Sequence, residues 1–469
     1  MIVAAAALAF RLLFIFWGWT GWRTVTHDHH YMTLSWVYAT EGYGICAGYG
    51  YVEPTEKVKD LDALAATRRI TPSTAPRIDP STLVPEMLHP PGMALLNAAV
   101  HFLTGMPVDF PIQFVGAFLD TITACLVCWV AATIFQPKIG FVAGLLYAFY
   151  PPQAANATIL RSSEGFLSFF VVGCLVCVLQ MSRSTGKARI AWCVGASLLL
   201  GVGSYIRPDY LLAPVVMGFA LWIFTRQFWR SLVAMIAVQI VALLILLPWA
   251  YRNHQLCDRW IFTSTGLGWT LVGGLGNYNN PWGIKGLDKH RQEEARAQGF
   301  SSPATPEADL YFRKVFWDAV TSKPIGYVEA LAKRLPLVIV APQGFGYRNP
   351  WKTSRFSDAM EQGQDRFDVV RTRPLYVLTA YWDWILMGGI GIASLLCTAY
   401  MVFQERHRFG LMLLLLSPHL DSIVTHWLIH YEPRYVLPST FSLLVGLAYV
   451  LCKVWKGTTP KQGLTNAVV

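Results

Sequence analysis

The chain is poor in charge. Asp, Glu, Lys and Arg supply only 14% of its 469 residues, against 54% hydrophobic ones, and mean hydropathy is +0.39. Soluble domains carry roughly a quarter charged residues, so an ordinary water-soluble protein is excluded. No low-complexity tract and no internal repeat is visible, which sets aside disordered tails and repeat arrays. Cysteine offers no framework either. Both Cys-x-x-Cys spacings, Cys125/Cys128 and Cys174/Cys177, lie in apolar runs where a thiol behaves as a small apolar group. Cys46 and Cys257 are the one pair outside such runs that is open to a disulfide. The Gly-rich "GLGNYNN" (274–280) lacks a following Lys-Ser/Thr, which excludes a nucleotide loop and leaves a turn shaping a pocket.

What the chain does have is apolar runs long enough for lipid. The first, "AAAALAFRLLFIFWGWTGW" (4–22), has no small-residue cleavage site before Trp19 and Trp22 and reads as a retained anchor. Further runs fall at about 111–135, 139–151, 164–181, 189–206, 209–225, 231–250, 376–402, 409–428 and 435–452. With the N-terminus inside, the inner loops carry Lys138, Arg183, Lys187, Arg189, Arg226, Arg230, Arg406, Arg408, Lys453, Lys456 and Lys461. Glu405 is the only acid against these eleven bases, a strong positive-inside bias. That bias accounts for much of the net charge of +10, which therefore does not indicate a nucleic-acid partner. Counting "PPGMALLNAAVHFLTGM" (90–106) as a span would invert every later loop, so it is expected to lie in the outer interface.

The expected architecture is one module over 1–469 with about ten spans. Two outer segments, 23–110 and 251–375, are rich in Pro, Gly and charge and must fold in water. In the first, "DHHYMTLSWVYATE" predicts a short helix with Asp28, Tyr31 and Ser35 near one side and Met32, Trp36 and Ala39 near another; residues 51–83 read as a loop. In the second, helical spacing between Asp288 and Lys333 puts Leu310, Val315, Phe316, Val320 and Tyr327 in the core of a small cap. Arg11 and Asp120 sit at similar depth in the first two spans and are predicted to face each other, since an unpaired charge there is costly. Asp421, with His419 and His426, points to a polar cavity in the ninth span.

Five outer loops bring ionisable groups to one depth: Asp28; His89 in "LHPPG"; Arg161 and Glu164 in "ILRSSEG"; Arg207 and Asp209 in "YIRPDY"; and His430, Glu432 and Arg434 in "IHYEPRYVLP". Such convergence is what a reaction centre at a lipid interface requires. Each residue also has a plain competing role: Asp28 and Glu164 as helix caps, Arg434 as a side chain reaching to the interface. His27, His29 and His30 do not make a zinc site, because neighbours on a helix point about 100° apart.

Several patterns, in order, carry a family likeness: Asp28 followed by Tyr31, "HPPG" (89–92), "YPPQAANATILRSSE" ending in Glu164, "RPD" (207–209), "PWAYRN" (248–253) and "EPRYVLP" (432–438). In this order and topology the chain resembles the integral-membrane glycosyltransferases of the GT-C superfamily, close to family 39, which includes the protein O-mannosyltransferases and the lipid A aminoarabinose transferase. The resemblance implies an all-α membrane fold with about ten transmembrane helices, interface helices in the first outer loop and a periplasmic cap. It implies a bacterial inner-membrane enzyme whose site faces the periplasm, moving a sugar from a polyprenyl-phosphate donor to a hydroxyl of a lipid, glycan or protein, with membrane lipids around it. Under it, Asp28 is the base and Glu164 a second catalytic acid; Arg434, His89 and Arg207 hold the donor phosphate; Tyr31, Glu432, Tyr435 and Asn253 line the substrate pocket. No cofactor is certain, although Asp28 and Glu164 form a pair available to a divalent ion, Mg or Mn.

The sequence departs from the family where His29 stands for a second acid and His89 for a Lys, which leaves the donor sugar open. The chemistry itself is physically coherent. A phosphate-linked sugar already has a good leaving group, so the enzyme must neutralise phosphate and deprotonate the acceptor, tasks suited to guanidinium and carboxylate. Attack from the opposite face inverts the anomeric centre. Two other readings remain at this stage: a transporter or flippase of lipid-linked sugars, and an oligosaccharide ligase or polymerase.

Overall fold

The computed structural model describes residues 1–22, 32–53, 56–108, 110–158, 162–276, 280–285, 288–303, 305–340 and 374–455. The fold among these residues is helical, with one isolated antiparallel bridge between Val52 and Pro85. In chain order the membrane-side helices are α1 (Ile2–Trp22), then α5 (Pro111–Ile134), α6 (Pro137–Ala148), the short α7 (Pro151–Ala157), α8 (Ser163–Arg183), α9 (Gly186–Ile206), α10 (Ala213–Thr225) and α11 (Phe228–Cys257). The last three are α16 (Pro374–Gln404), α17 (Phe409–Leu428) and α18 (Phe441–Trp455). Every apolar run of the sequence is thus helical. Six helical stretches among the described residues are long and apolar enough to cross a membrane, and α6 and α18 are among the shorter apolar ones. At 12 residues α6 rises only about 18 Å, less than the roughly 30 Å of a hydrocarbon core.

Local chemistry sets many of the boundaries. Proline opens α5, α6 and α7, where its missing N–H costs nothing. Ser162 caps α8, its hydroxyl accepting from the Gly165 amide at 3.2 Å. The sequence reading ends α11 near residue 250, but the helix continues to Cys257. Arg252 and Asn253 explain the added turns: Arg252 donates to the carbonyls of Tyr51 and Glu86, and the Asn253 amide to that of Ile261.

The two charges deep in the first spans are matched. Arg11 Nε donates to Asp120 Oδ2 at 2.7 Å, with both side chains fully buried, as their shared depth predicted. The Tyr147 hydroxyl and the Gln153 amide each donate to Asp120 Oδ1 at 2.8 Å, and Arg11 also reaches the carbonyls of Tyr147 and Ala148. Close helix approach here depends on glycine: a Cβ on Gly116 would lie 1.7 Å from the Ala157 carbonyl oxygen, and one on Gly165 2.6 Å from the Ala157 amide. At the other end of the bundle the basic loops meet. Arg408 donates to Ile134 O at 2.6 Å, Arg183 to Thr133 O, Tyr449 to Glu405, and Lys138 lies over the Trp455 ring.

The first outer segment contains α2 (Met32–Cys46), α3 (Glu56–Ala65) and α4 (Gly92–Thr104). The α2 helix was expected; α3 corrects the loop read over 51–83. Its buried Val58, Leu61 and Ala65 follow i, i+3, i+7 spacing, so one stripe holds a short, otherwise charged helix against the core. The 13 residues of α4 span about 20 Å, in keeping with an interfacial position. Cys46 and Cys257 are free thiols, bonded instead to the carbonyls of Ala98 and Asn253.

The cap consists of α12 (Leu267–Gly276), α13 (Asp288–Ala297), α14 (Pro306–Ser322) and α15 (Pro324–Val340). Ala308, Phe312, Phe316 and Ala319 form the buried stripe of α14, against Val272 and Leu275 of α12. Val315, Val320 and Tyr327 are partly buried as expected, but Leu310 is exposed and Phe312 takes the core position, one half-turn away. Hydrogen bonds fasten the cap down on two sides. The buried Arg334 donates to Trp427 O (2.7 Å) and, within the cap, to Gly274 O (2.8 Å), while the Tyr327 hydroxyl donates to Leu428 O and the Trp427 indole to Leu331 O, joining α15 to the end of α17. On the other side, the Ser302 hydroxyl donates to Glu53 of the first segment.

Candidate active site

The antiparallel succession of α8, α9, α10, α17 and α18 puts one set of loops at the end of the bundle opposite the basic one. Glu164 is in the first turn of α8, Arg207 follows α9, Asp209 precedes α10, and His430, Glu432, Arg434 and Tyr435 lie between α17 and α18. These residues meet. Glu164 Oε1 accepts from Arg207 Nη1 at 2.7 Å and lies 3.2 Å from Arg434 Nε; its Oε2 accepts from the Ser163 hydroxyl. Arg207 Nε is 2.7 Å from Asp209 Oδ2, and Arg434 Nε 2.8 Å from Glu432 Oε2.

Tyr435 forms a floor under both cations, its ring 4.5 Å from the Arg207 guanidinium carbon and 5.3 Å from that of Arg434. His426 and His430 border the same ring. Three carboxylates therefore surround two guanidinium groups. Burial alone would raise the Glu432 carboxyl, but Arg434 and the His430 hydrogen bond outweigh it and hold the group well below the usual carboxylate range. Arg207, tied on two sides to acids, orients Glu164; Arg434 and Glu432 are the ion pair nearest solvent, with Glu432 32% exposed.

Of the residues singled out from sequence, Glu164, Arg207, Glu432, Arg434 and Tyr435 are brought together. His89 is in a neighbouring cluster, 3.5 Å from Glu86 and 3.9 Å from Glu41, and its ring meets that of Tyr38 edge to face. Tyr38, Glu41 and Glu86 were not anticipated. Tyr38 and Glu41 are three apart on α2, and a buried acid there looks in sequence like an ordinary polar helix position. Tyr38 is the link between clusters: burial pushes its phenol up, and Arg207, Glu164 and Arg434 all act on it electrostatically. Asn253 does not reach either cluster by a side-chain bond; it supports Arg252, its Oδ1 accepting at 2.9 Å. His419 and Asp421 are buried on α17, with His419 facing the Ser439 hydroxyl and Asp421 near Asp209. Asp28, Tyr31, Arg161 and the three histidines 27, 29 and 30 lie outside the described residues.

Comparison with known proteins bears on the fold and the family. The family described as dolichyl-phosphate-mannose-protein mannosyltransferase matches residues 88–251, a stretch that includes His89, Glu164 and Arg207. Comparison with the curated proteins gives no match. Among solved structures, the apo form of the Archaeoglobus fulgidus oligosaccharyltransferase superposes with a TM-score of 0.53 at 12% identity, over 96% of this chain and 50% of that one. The same archaeal enzyme, AglB, with an inhibitory peptide and a dolichol-phosphate, gives 0.46 at 12% identity over 92% and 48%. The chain spans about half the length of the solved structures it matches. The fold is that of the GT-C enzymes, and the family match supports a glycosyltransferase.

Proposed function

We propose that this chain, a membrane glycosyltransferase of the GT-C superfamily, moves a sugar from a polyprenyl-phosphate donor to an acceptor hydroxyl at the membrane end that carries the Glu164 cluster. The observation that carries the reading is the meeting of Glu164, Arg207 and Arg434 over Tyr435, delivered by three separate loops. A flippase needs a polar path through the bundle, whereas the deep charges Arg11 and Asp120 are consumed by each other.

In this reading the donor phosphate docks at Arg434. It displaces Glu432, the more exposed of the two acids on that guanidinium, and gains a bidentate partner. Glu164 and Arg207 keep Arg434 aimed. The acceptor oxygen attacks the anomeric carbon as the bond to the phosphate oxygen breaks; the bonding electrons leave with the phosphate and the hydroxyl proton goes to Asp28. The product is inverted. Asp28 takes this role from its sequence position beside α2, whose Tyr38 and Glu41 border the cluster. A metal held by Asp28 and Glu164 is disfavoured by the occupation of Glu164: two guanidinium groups and the Ser163 hydroxyl already use its oxygens. The periplasmic face of a bacterial inner membrane is the proposed setting.

The test is transfer of radiolabelled sugar in membranes containing Asp28→Asn or Arg434→Gln. Loss of a general base costs about 10²- to 10⁴-fold. D28N is expected in that range with donor binding retained, and R434Q is expected to weaken donor binding. Full transfer by D28N would remove the base assignment.

A further inference from the structure

Across Tyr38 from the arginine cluster is a second group of polar side chains. Glu41 of α2 is fully buried, and its carboxylate oxygens make no hydrogen bond of regular geometry among the described residues, with only the Tyr51 hydroxyl close enough to act on them as a donor. The nearby Tyr51 hydroxyl directs its proton to the carbonyls of His89 (3.2 Å) and Pro90 (3.4 Å). Glu86, also buried, is held rigidly: its Oε1 accepts from the Leu88 and His89 amides at 2.6 and 2.9 Å. His89 Nδ1 is without a partner as well, 3.5 Å from Glu86 Oε1 and 3.9 Å from Glu41 Oε1. Arg252, a neighbouring guanidinium, gives its hydrogen bonds to the main-chain carbonyls of Tyr51 and Glu86 and to Asn253.

We infer that Glu41, Glu86 and His89 form a binding site for one divalent transition-metal ion, with Zn2+ the best fit. Two carboxylates and an imidazole are a familiar zinc donor set, and bonds of about 2.1 Å place neighbouring ligands about 3.4 Å apart. The ligand atoms here lie within 4.8 Å of one another, so a small inward movement of Glu41 completes the set. A buried acid without a regular hydrogen bond is relieved either by taking up a proton or by coordination, and the approach of Glu86 and His89 to Glu41 provides for the second. The Leu88 and His89 amides supply the outer hydrogen bonds that fix a ligand's direction. His89 is 22% exposed, so ion entry and a further solvent ligand are both possible from that side. Imidazole in the set favours Zn2+ over Mg2+, which prefers oxygen. The site stands on α2 and the turn before α4 and does not depend on which donor or acceptor the enzyme uses.

The experiment is metal content by mass spectrometry and Zn2+ titration of the purified full chain in detergent after chelator treatment. One Zn2+ per chain is expected, bound at least tenfold more tightly than Mg2+, and weakened at least tenfold in Glu41→Gln and His89→Gln. Glu53→Gln, which changes a neighbouring acid outside the set, should bind as the parent does. If E41Q does not fold, H89Q alone decides. Absence of stoichiometric Zn2+, equal affinity in H89Q, or preference for Mg2+ would each overturn the assignment.

Discussion

Replacing Arg11 by Met tests how the buried ion pair is tied to the candidate site. The substitution leaves the Asp120 carboxylate buried, with only the Tyr147 hydroxyl and the Gln153 amide for company. Removing one member of such a pair typically costs 3–5 kcal/mol, because the survivor keeps its desolvation penalty. Asp120→Leu strands the guanidinium in the same way, and simple addition puts the double variant at about 6–10 kcal/mol. The double removes both charges, however, leaving two neutral donors each short of one acceptor at about 1–3 kcal/mol, so a loss of about 2–6 kcal/mol is expected, below the sum of the singles. Equilibrium unfolding in mixed micelles measures all three. There is a second readout, because Gln153 does not stop at Asp120: it also donates to Gly165 O and accepts from the Ser168 hydroxyl, gripping the turn that carries Glu164. The double variant should therefore recover stability without recovering full transfer. Singles that cost under about 0.5 kcal/mol, the range of neutral surface changes, or a double as poor as their sum, would refute the reasoning.

Two more expectations follow from packing and charge. Glu53 is raised from 4.5 to about 7, mainly by burial, so its folded state holds a proton more tightly than the unfolded chain. The stability this provides to the joint between cap and first segment is complete below about pH 4.5 and lost as pH rises through 7, by up to about 3 kcal/mol; hydrogen exchange of α14 across pH 5–8 should show it, and Glu53→Gln should flatten the dependence. Gly116→Ala forces α5 away from the Ala157 carbonyl and should destabilise by about 1–3 kcal/mol; a melting curve matching the parent's would show that the contact yields easily.

Much of the membrane part is legible in sequence, for physical reasons. Apolar runs must form helices in lipid, so α5, α8, α9 and α11 begin close to where hydropathy puts them. The same solvent logic pairs Arg11 with Asp120, since neither charge has another outlet. The candidate cluster was readable because its loops share one side of the membrane and carry unlike charges. Water-facing parts are less legible: α3 depends on three buried residues among charges, and α14 turns on which of Leu310 and Phe312 meets the neighbouring helix. Nor could spacing alone show that His89 would face Glu41, because that contact is set by how α2 packs on α4.

The fastening of α15 to the last turn of α17 has a mechanical consequence. Arg334 and Tyr327 hold the main chain at Trp427 and Leu428, only a few residues before His430, Glu432 and Arg434. Any displacement of the outer lobe therefore pulls on the segment that bears Arg434, so the seat of the lobe and the aim of that guanidinium are geared together.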